Sequence, residues 1–101
     1  MLLRKKDRDA IIHIARQTIH TPTKVLAYGS RVSGEAHDTS DLDLVLVSLD
    51  EKKINRSELI NFKTHLRNSN IPILTQVLDW QSIPDSFYEN VLKYHEELVV
   101  L

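Results

Sequence analysis

The sequence predicts an α/β (α+β) domain in which a small mixed β-sheet carries helices packed mainly on one face. Helical and strand-like apolar patterns alternate along the chain, the first two strands are joined by a segment too short for an ordinary crossover helix, and the second strand is apolar on both faces. The 101 residues, 42% of them hydrophobic, are enough for one modest core. We therefore expect a single domain over residues 1–101.

The first half of the chain predicts one helix and two strands. Residues 7–19 repeat apolar side chains at helical spacing. Residues 24–28 form a short apolar strand, and residues 42–47 form a second that is nearly all apolar, as is typical of a central strand. The polar residues 33–40 are the only connection between them, which favours a mixed sheet.

The second half predicts two helices and one or two strands. Asn55 and Glu58 have the form of a capping box, so a helix is expected to run to about Arg67. Residues 73–78 predict a third strand, and residues 98–101 predict a short edge strand. The last helix is expected to begin near Pro84, with one apolar face formed by Phe87, Val91 and Tyr94.

Composition excludes several classes of protein. The chain has no cysteine, which rules out disulfides, a cysteine zinc site and a thiol nucleophile. A net charge of −1 argues against a surface built to bind nucleic acid. The beginning of the chain lacks the apolar stretch of a signal peptide, and no segment approaches the roughly 20 apolar residues of a membrane span. We expect a soluble cytoplasmic protein with no membrane contact.

The chemistry is concentrated where the first two strands meet. Gly29 and Ser30 follow the first strand, and Asp41 and Asp43 begin the second, so all four lie at one edge of the sheet. Residues two apart on a strand project from the same face, and two carboxylates placed so can chelate a hard cation. Burying them costs free energy unless a cation compensates. The pair therefore predicts a metal site, with Mg²⁺ as the ion that one or two carboxylates suit.

The Gly-Ser pair predicts a phosphate site on the other side of the same edge. Gly29 permits a tight turn and the close approach of a ligand. Ser30, if it opens a short helical turn, would present its hydroxyl and nearby N–H groups to phosphate oxygens, and Arg31 would add positive charge. Together the two motifs predict a nucleoside triphosphate held between Gly29-Ser30 and metal ions on Asp41 and Asp43.

Each motif by itself has a simpler reading. A Gly-Ser pair is most often a turn, and an Asp-x-Asp at a strand end is often a solvated turn or a cap. Their combination at this spacing is more specific than either part, although a soluble α/β domain unrelated to nucleotides stays open as an interpretation. The five histidines lack metal-ligand spacing and are expected at the surface; they are His13, His20, His37, His65 and His95.

The pattern Gly29-Ser30, ten residues, then Asp41-Leu42-Asp43 resembles the signature of the DNA polymerase beta-like nucleotidyltransferase superfamily. The short chain, with Tyr-Gly-Ser-Arg-Val-x-Gly and Thr-Ser-Asp-Leu-Asp-Leu, is similar to the minimal nucleotidyltransferase (MNT) family. Members of that family pair with HEPN-domain proteins, commonly as the antitoxin of a toxin–antitoxin module. The resemblance implies that the Gly-Ser pair holds the triphosphate of ATP, that the two aspartates bind Mg²⁺, and that AMP is transferred to a tyrosine of the HEPN toxin.

The chain departs from the superfamily at one position. The third carboxylate usually comes from the next core strand, where this sequence has Gln76. An amide cannot take the proton from the acceptor hydroxyl, and it adds no charge that would help to bind a second metal ion. We therefore expect either a two-metal site or, because of Gln76, a site for one metal ion. Asp79 lies an odd number of residues from Gln76, points to the opposite face, and is expected to be a strand-end turn or a cap.

Two functional hypotheses remain. In the first, the chain is an active nucleotidyltransferase that modifies its partner. In the second, it neutralises a HEPN partner by contact alone, and Gln76 marks weakened catalysis. A domain this small leaves a bound nucleotide open on one side, so we expect a partner protein or a second copy of the chain to close the site in a hetero- or homo-oligomer.

Overall fold

A computed structural model describes residues 3–34 and 41–101 of the chain, and within them four strands form one sheet. The strands are β1 (Thr23–Tyr28), β2 (Leu42–Ser48), β3 (Thr75–Asp79) and β4 (His95–Val100). Their order is β3-β2-β1-β4; β1 is antiparallel to β2 and to β4, whereas β2 is parallel to β3. The predicted mixed sheet with an apolar central strand is therefore confirmed.

Helices connect and cover the strands. They are α1 (Lys5–Thr18), the four-residue α2 (Ser30–Ser33), α3 (Arg56–Arg67) and α4 (Asp85–Lys93), with a 3-10 turn over Trp80–Ser82. The predicted cap of α3 is present, because the side chain of Asn55 accepts hydrogen bonds from the backbone N–H groups of Ser57 and Glu58. Within the described residues, no helix combines the length and the apolar character that crossing a membrane requires.

Helices α1 and α3 pack on one face of the sheet and form the main core with it. Alternation along β2 points Leu42, Leu44 and Leu46 into this core, where they are fully buried with Ile11 of α1 and Phe62 of α3. The opposite face is only partly covered, by α4. A smaller cluster lies there, and its buried members are Tyr28, Val45 and Val91.

The structure corrects the predicted ends of several elements in the second half. Strand β3 begins at Thr75, two residues later than predicted. Helix α4 ends at Lys93, so Tyr94 is not part of its buried face and is 48% exposed. The final strand begins at His95 rather than at residue 98. It is an edge strand whose first three residues are polar, so the hydrophobic pattern detected only its buried end.

Candidate active site

Three neighbouring strands bring their polar side chains to one end of the sheet. Tyr28 pairs with Asp43 across β1 and β2, and Asp43 pairs with Gln76 across β2 and β3. Directly paired residues project from the same face, so Tyr28, Asp43 and Gln76 form a row across the sheet, on the face that α4 covers only partly. Asp41, two residues before Asp43, joins them from the beginning of β2. Gln76 is in register with Asp43, while its assignment to the third-carboxylate position of the superfamily stays a prediction.

Gly29 makes close contact with one of these carboxylates. Its φ is +83°, a left-handed conformation that side chains disfavour. A Cβ atom built on it would lie 2.6 Å from Oδ2 of Asp43, which is too close for a nonbonded contact between carbon and oxygen. Only glycine therefore lets the Asp43 carboxylate lie directly against the turn that follows β1.

The turn leads at once into α2. The carbonyl oxygen of Gly29 accepts hydrogen bonds from the N–H groups of Val32 and Ser33, so Ser30 is the first helical residue, as the sequence predicted for a short helical turn. Arg31 is only 5% exposed, in a helix that packs against β1 and β4. The roles predicted for Ser30 and Arg31 in holding phosphate stay predictions.

Gln76 contacts the other carboxylate. Its Nε2 donates a hydrogen bond of 3.4 Å to Oδ2 of Asp41, and its Oε1 is a neutral acceptor oxygen. Within residues 3–34 and 41–101, no three acidic, histidine or cysteine side chains group as metal ligands. In the described part of the site, the hard oxygen donors are thus the carboxylates of Asp41 and Asp43 with the amide of Gln76.

The two carboxylates of the site are partly buried and close enough for one to affect the ionisation of the other. Burial raises the pKa of Asp43, and the nearby charge of Asp41 raises it further. Burial, with the Asp43 carboxylate beside it, raises the pKa of Tyr28 to about 12, so its phenol stays protonated at physiological pH. Burial is the larger cause of both pKa shifts and the neighbouring carboxylate is the smaller one. A bound cation would favour the ionised carboxylates, which are the oxygen ligands that Mg²⁺ prefers.

Asp79 serves the fold on the other side of the sheet. It is 7% exposed, and its carboxylate accepts hydrogen bonds from the backbone N–H groups of Ile54 at 3.1 Å and Gln81 at 3.0 Å. The second bond caps the 3-10 turn that follows β3. The prediction that Asp79 is a strand-end cap, and not a replacement for the missing carboxylate, is confirmed.

An open groove of about 620 Å³ adjoins the carboxylate row on the partly covered face. We call it the α4 groove. The residues along it include Tyr28, Asp43, Gln76, Leu78, Ile83 and Phe87. The rings of Tyr28 and Phe87 meet edge to face with centroids 6.2 Å apart. From the sequence, Phe87 is predicted only to lie on an apolar helix face. The one sequence signal of a site role for Tyr28 is its position directly before Gly29.

Four of the five histidines fall in the described residues, and one of these, His95, pairs with Tyr28 across β1 and β4. His13, His20, His65 and His95 are exposed, as predicted. His37 falls in the segment 35–40, which lies outside the described residues.

Comparison with known proteins gives a family match over most of the chain. The sequence profile described as "Polymerase beta, Nucleotidyltransferase" matches residues 9–100. A curated relative from Haemophilus influenzae, named "Probable protein adenylyltransferase MntA", is 31% identical over 91 residues, which cover 90% of this chain and 78% of the relative.

Solved structures show the same fold. A chain in a toxin–antitoxin structure with AMP-PNP superposes with a TM-score of 0.73 and 17% identity, covering 91% of this chain and 72% of that one. A structure of a tri-AMPylated Shewanella oneidensis HEPN toxin in complex with MNT antitoxin gives a TM-score of 0.70 at 13% identity, with coverages of 96% and 72%. At these identities the likeness establishes the fold.

Proposed function

This chain belongs to the polymerase beta nucleotidyltransferase family, and on that basis we propose that it transfers AMP from ATP to a hydroxyl of a partner protein, as the antitoxin of a HEPN toxin. The observation that carries the proposal is the contact between Gly29 and Asp43. A glycine with positive φ lies directly against the Asp43 carboxylate, at a distance that leaves no room for a Cβ, and Asp43 is in register with Gln76.

The proposed nucleotide site lies on the α2 side of the carboxylate row. Gly29 exposes backbone there, and Ser30 and Arg31 follow it in α2. We assign the triphosphate to this side because a phosphate beside Gly29 would also be beside Asp43, where a shared cation can bridge them. The expected use of ATP agrees with the cytoplasmic location predicted from the sequence.

The donor set fits Mg²⁺. Asp41 and Asp43 would hold the ion, whereas the amide of Gln76, which is hydrogen-bonded to Asp41, adds no charge for a second ion. When bound, the ion neutralises phosphate charge and polarises the phosphorus–oxygen bonds. The chain's own contribution is to hold two carboxylates on one face, in a place where their repulsion makes a cation favourable.

The proposed reaction balances without a covalent enzyme intermediate. The acceptor oxygen attacks the α-phosphorus of ATP, the bond from that phosphorus to the oxygen bridging to the β-phosphate breaks, and pyrophosphate leaves with the electron pair. The acceptor's proton passes to solvent water, because the amide of Gln76 cannot take it. A protein partner suits a site that is open on one face of a small sheet, and the curated relative is named as a protein adenylyltransferase.

The HEPN partner is proposed from two relatives. The curated relative carries the name MntA, and one structural neighbour is an MNT antitoxin in complex with an AMPylated HEPN toxin. In the proposed pair, the partner would close the open face of the site and supply the tyrosine that receives AMP.

Gln76 supports a second candidate function. If its amide weakens catalysis enough, the chain would neutralise the same partner by contact alone, with the nucleotide site as a remnant. This alternative predicts that variants at both aspartates leave the partner neutralised.

Two measurements test the proposal. The first is calorimetric titration of ATP with and without Mg²⁺, comparing the wild-type chain with Asp41→Ala; we expect Mg²⁺-dependent binding that the variant loses. The second is transfer of label from α-labelled ATP to a HEPN partner, which Asp43→Ala should reduce by at least about 100-fold. Asp50→Ala, at the opposite end of β2, is the matched carboxylate control.

The outcomes separate the two candidates. Transfer retained by Asp43→Ala contradicts the enzymatic assignment. If neither wild-type chain nor variant transfers AMP while both neutralise the partner, neutralisation by contact is the function. If Asp41→Ala and Asp43→Ala still form the complex but release toxin activity, the contact hypothesis fails.

A further inference from the structure

The α4 groove differs in character from the side of the site that holds Gly29. Its apolar lining includes Leu78, Ile83 and Phe87, and Asp43 and Gln76 line it where it meets the carboxylate row. Among the described residues of the Gly29 turn and α2, none lines it. The groove is therefore a second compartment that shares only the carboxylate row with the proposed triphosphate site.

We propose that the α4 groove is the acceptor subsite, and that Phe87 selects an acceptor with an aromatic body and a hydroxyl tip. This inference rests on the proposed function. It adds where the acceptor lies and which side chain recognises it.

Reaction geometry supports this placement. In phosphoryl-type transfer the attacking and leaving oxygens are roughly in line through phosphorus. With pyrophosphate leaving on the Gly29 side, the acceptor oxygen must approach from the other side of the carboxylate row. The groove opens there, at Asp43 and Gln76.

The polarity of the groove distinguishes an acceptor ring from a nucleobase. A nucleobase carries polar atoms around its ring, and burying them against Leu78, Ile83 and Phe87 would leave them without hydrogen-bond partners. A phenol has an apolar body and one polar atom at its end. Seated against the edge-to-face pair of Tyr28 and Phe87, such a ring would direct its hydroxyl toward the carboxylate row.

The chemistry of Gln76 favours the same acceptor. With an amide at this position, the acceptor must lose its proton without help from a neighbouring carboxylate. A phenol, with an ordinary pKa of about 10, ionises far more readily than an aliphatic hydroxyl. A groove that selects a phenol thus compensates in part for the absent base.

Blocking the groove tests the placement directly. The chain has no cysteine, so a single introduced thiol can be labelled selectively. Ser82 is exposed and lines the groove, whereas Ser86 is exposed on α4 and is not among its lining residues. We would label Ser82→Cys and, as the matched control, Ser86→Cys with N-phenylmaleimide, and measure Mg²⁺-ATP binding and AMP transfer to the HEPN partner.

Labelled Ser82→Cys should bind Mg²⁺-ATP as the unlabelled protein does but lose transfer, while labelled Ser86→Cys keeps both. Loss of ATP binding would assign the groove to the nucleotide and overturn the proposal. Retention of both activities would overturn it too, since the groove would then take no part. If even the unlabelled chain transfers no AMP, the proposed function itself fails, which is a separate result.

A substitution tests the role of Phe87. Phe87→Leu keeps an apolar side chain but removes the ring, and Tyr88→Leu does the same at the next position of α4, where the ring packs on Trp80 instead. Loss of one aromatic contact should raise the KM for the acceptor by roughly threefold to tenfold in Phe87→Leu. The Kd for Mg²⁺-ATP should not change. An unchanged KM, or an equal rise in Tyr88→Leu, would contradict the assigned role.

Discussion

The face of the sheet covered by α1 and α3 buries apolar side chains almost continuously, whereas the opposite face is only partly covered by α4 and carries both site carboxylates. Strand β2 contributes to both. Leu44 is fully buried in the main core, and its neighbour Asp43 lies at the site with a raised pKa. Because adjacent strand residues point to opposite faces, one strand supplies stability on one side and an electrostatically costly site on the other.

This difference indicates where the chain can tolerate unfavourable interactions. Burial of apolar side chains in the main core stabilises the fold enough to offset the repulsion between the two carboxylates on the other face. Replacing a site carboxylate should therefore cost little stability, whereas replacing a buried core residue should cost much. Three predictions test this division.

The largest expected effect is on stability, from the core face. Leu44→Ala removes a fully buried side chain and should lower the free energy of unfolding by about 2–5 kcal/mol. Leu74→Ala is the matched control, because that leucine is 76% exposed and should cost less than about 0.5 kcal/mol. Urea unfolding measures both. A small loss in Leu44→Ala would mean that the main core does not dominate stability.

The next effect separates backbone strain from damage to the site. Gly29 and Gly34 have nearly the same positive φ, +83° and +86°, but only at Gly29 would a Cβ meet another atom within 4 Å. Both Ala variants should lose stability through strain, on the order of 1–3 kcal/mol. Calorimetry should show that Gly29→Ala alone loses Mg²⁺-ATP binding. Equal Mg²⁺-ATP binding by the two variants would show that the contact between Gly29 and Asp43 is not needed for nucleotide recognition.

The smallest effect is a gain in stability. Because the pKa of Asp43 is raised in the folded state, ionisation of this carboxylate opposes folding. The stability that protonated Asp43 contributes is fully present below the ordinary pKa of about 3.9 and is lost as the pH rises through the raised pKa. Asp43→Asn removes this cost and should stabilise the fold at neutral pH, by less than about 1 kcal/mol after solvent screening. The gain should vanish in acid.

Asp50 provides a control of opposite sign. A hydrogen bond from the Ser48 hydroxyl lowers the pKa of Asp50, so Asp50→Asn should lose stability at neutral pH rather than gain it. Chemical denaturation at several pH values compares the two variants. If Asp43→Asn is also destabilising at neutral pH, the carboxylate is not an electrostatic burden on the fold.

Much of the site could be predicted from local sequence. The alternation of β2 fixes which residues share a face, so the common side of Asp41 and Asp43, and the burial of Leu42, follow from a period of two. The same rule separated Gln76 from Asp79 on β3, and the structure agrees on both. The contact across β2 and β3 required in addition that the strands be neighbours in that register, for which the family resemblance supplied the alignment.

The ends of helices and strands were less predictable where polar residues of an edge strand interrupt the hydrophobic pattern. In β4, a register shift opposite Val25 and Leu26 puts both Leu98 and Val99 in buried positions, which a simple alternation does not anticipate. Tyr94 fell at a helical spacing from Val91, yet the helix ends at Lys93 because the chain turns there to pair with β1. Tertiary pairing overrode local periodicity in this segment.

By itself the sequence determined the strand alternation, the capped helix α3, the pairing of a Gly-Ser turn with an Asp-x-Asp strand, and the family, because these depend on residues close together in the chain. Only the tertiary structure decided that Gly29 must lack a side chain to admit Asp43, that Gln76 contacts Asp41, and that α4 leaves a groove beside the carboxylates. Each of these depends on the separation of atoms from different strands and helices, and no local pattern encodes such distances.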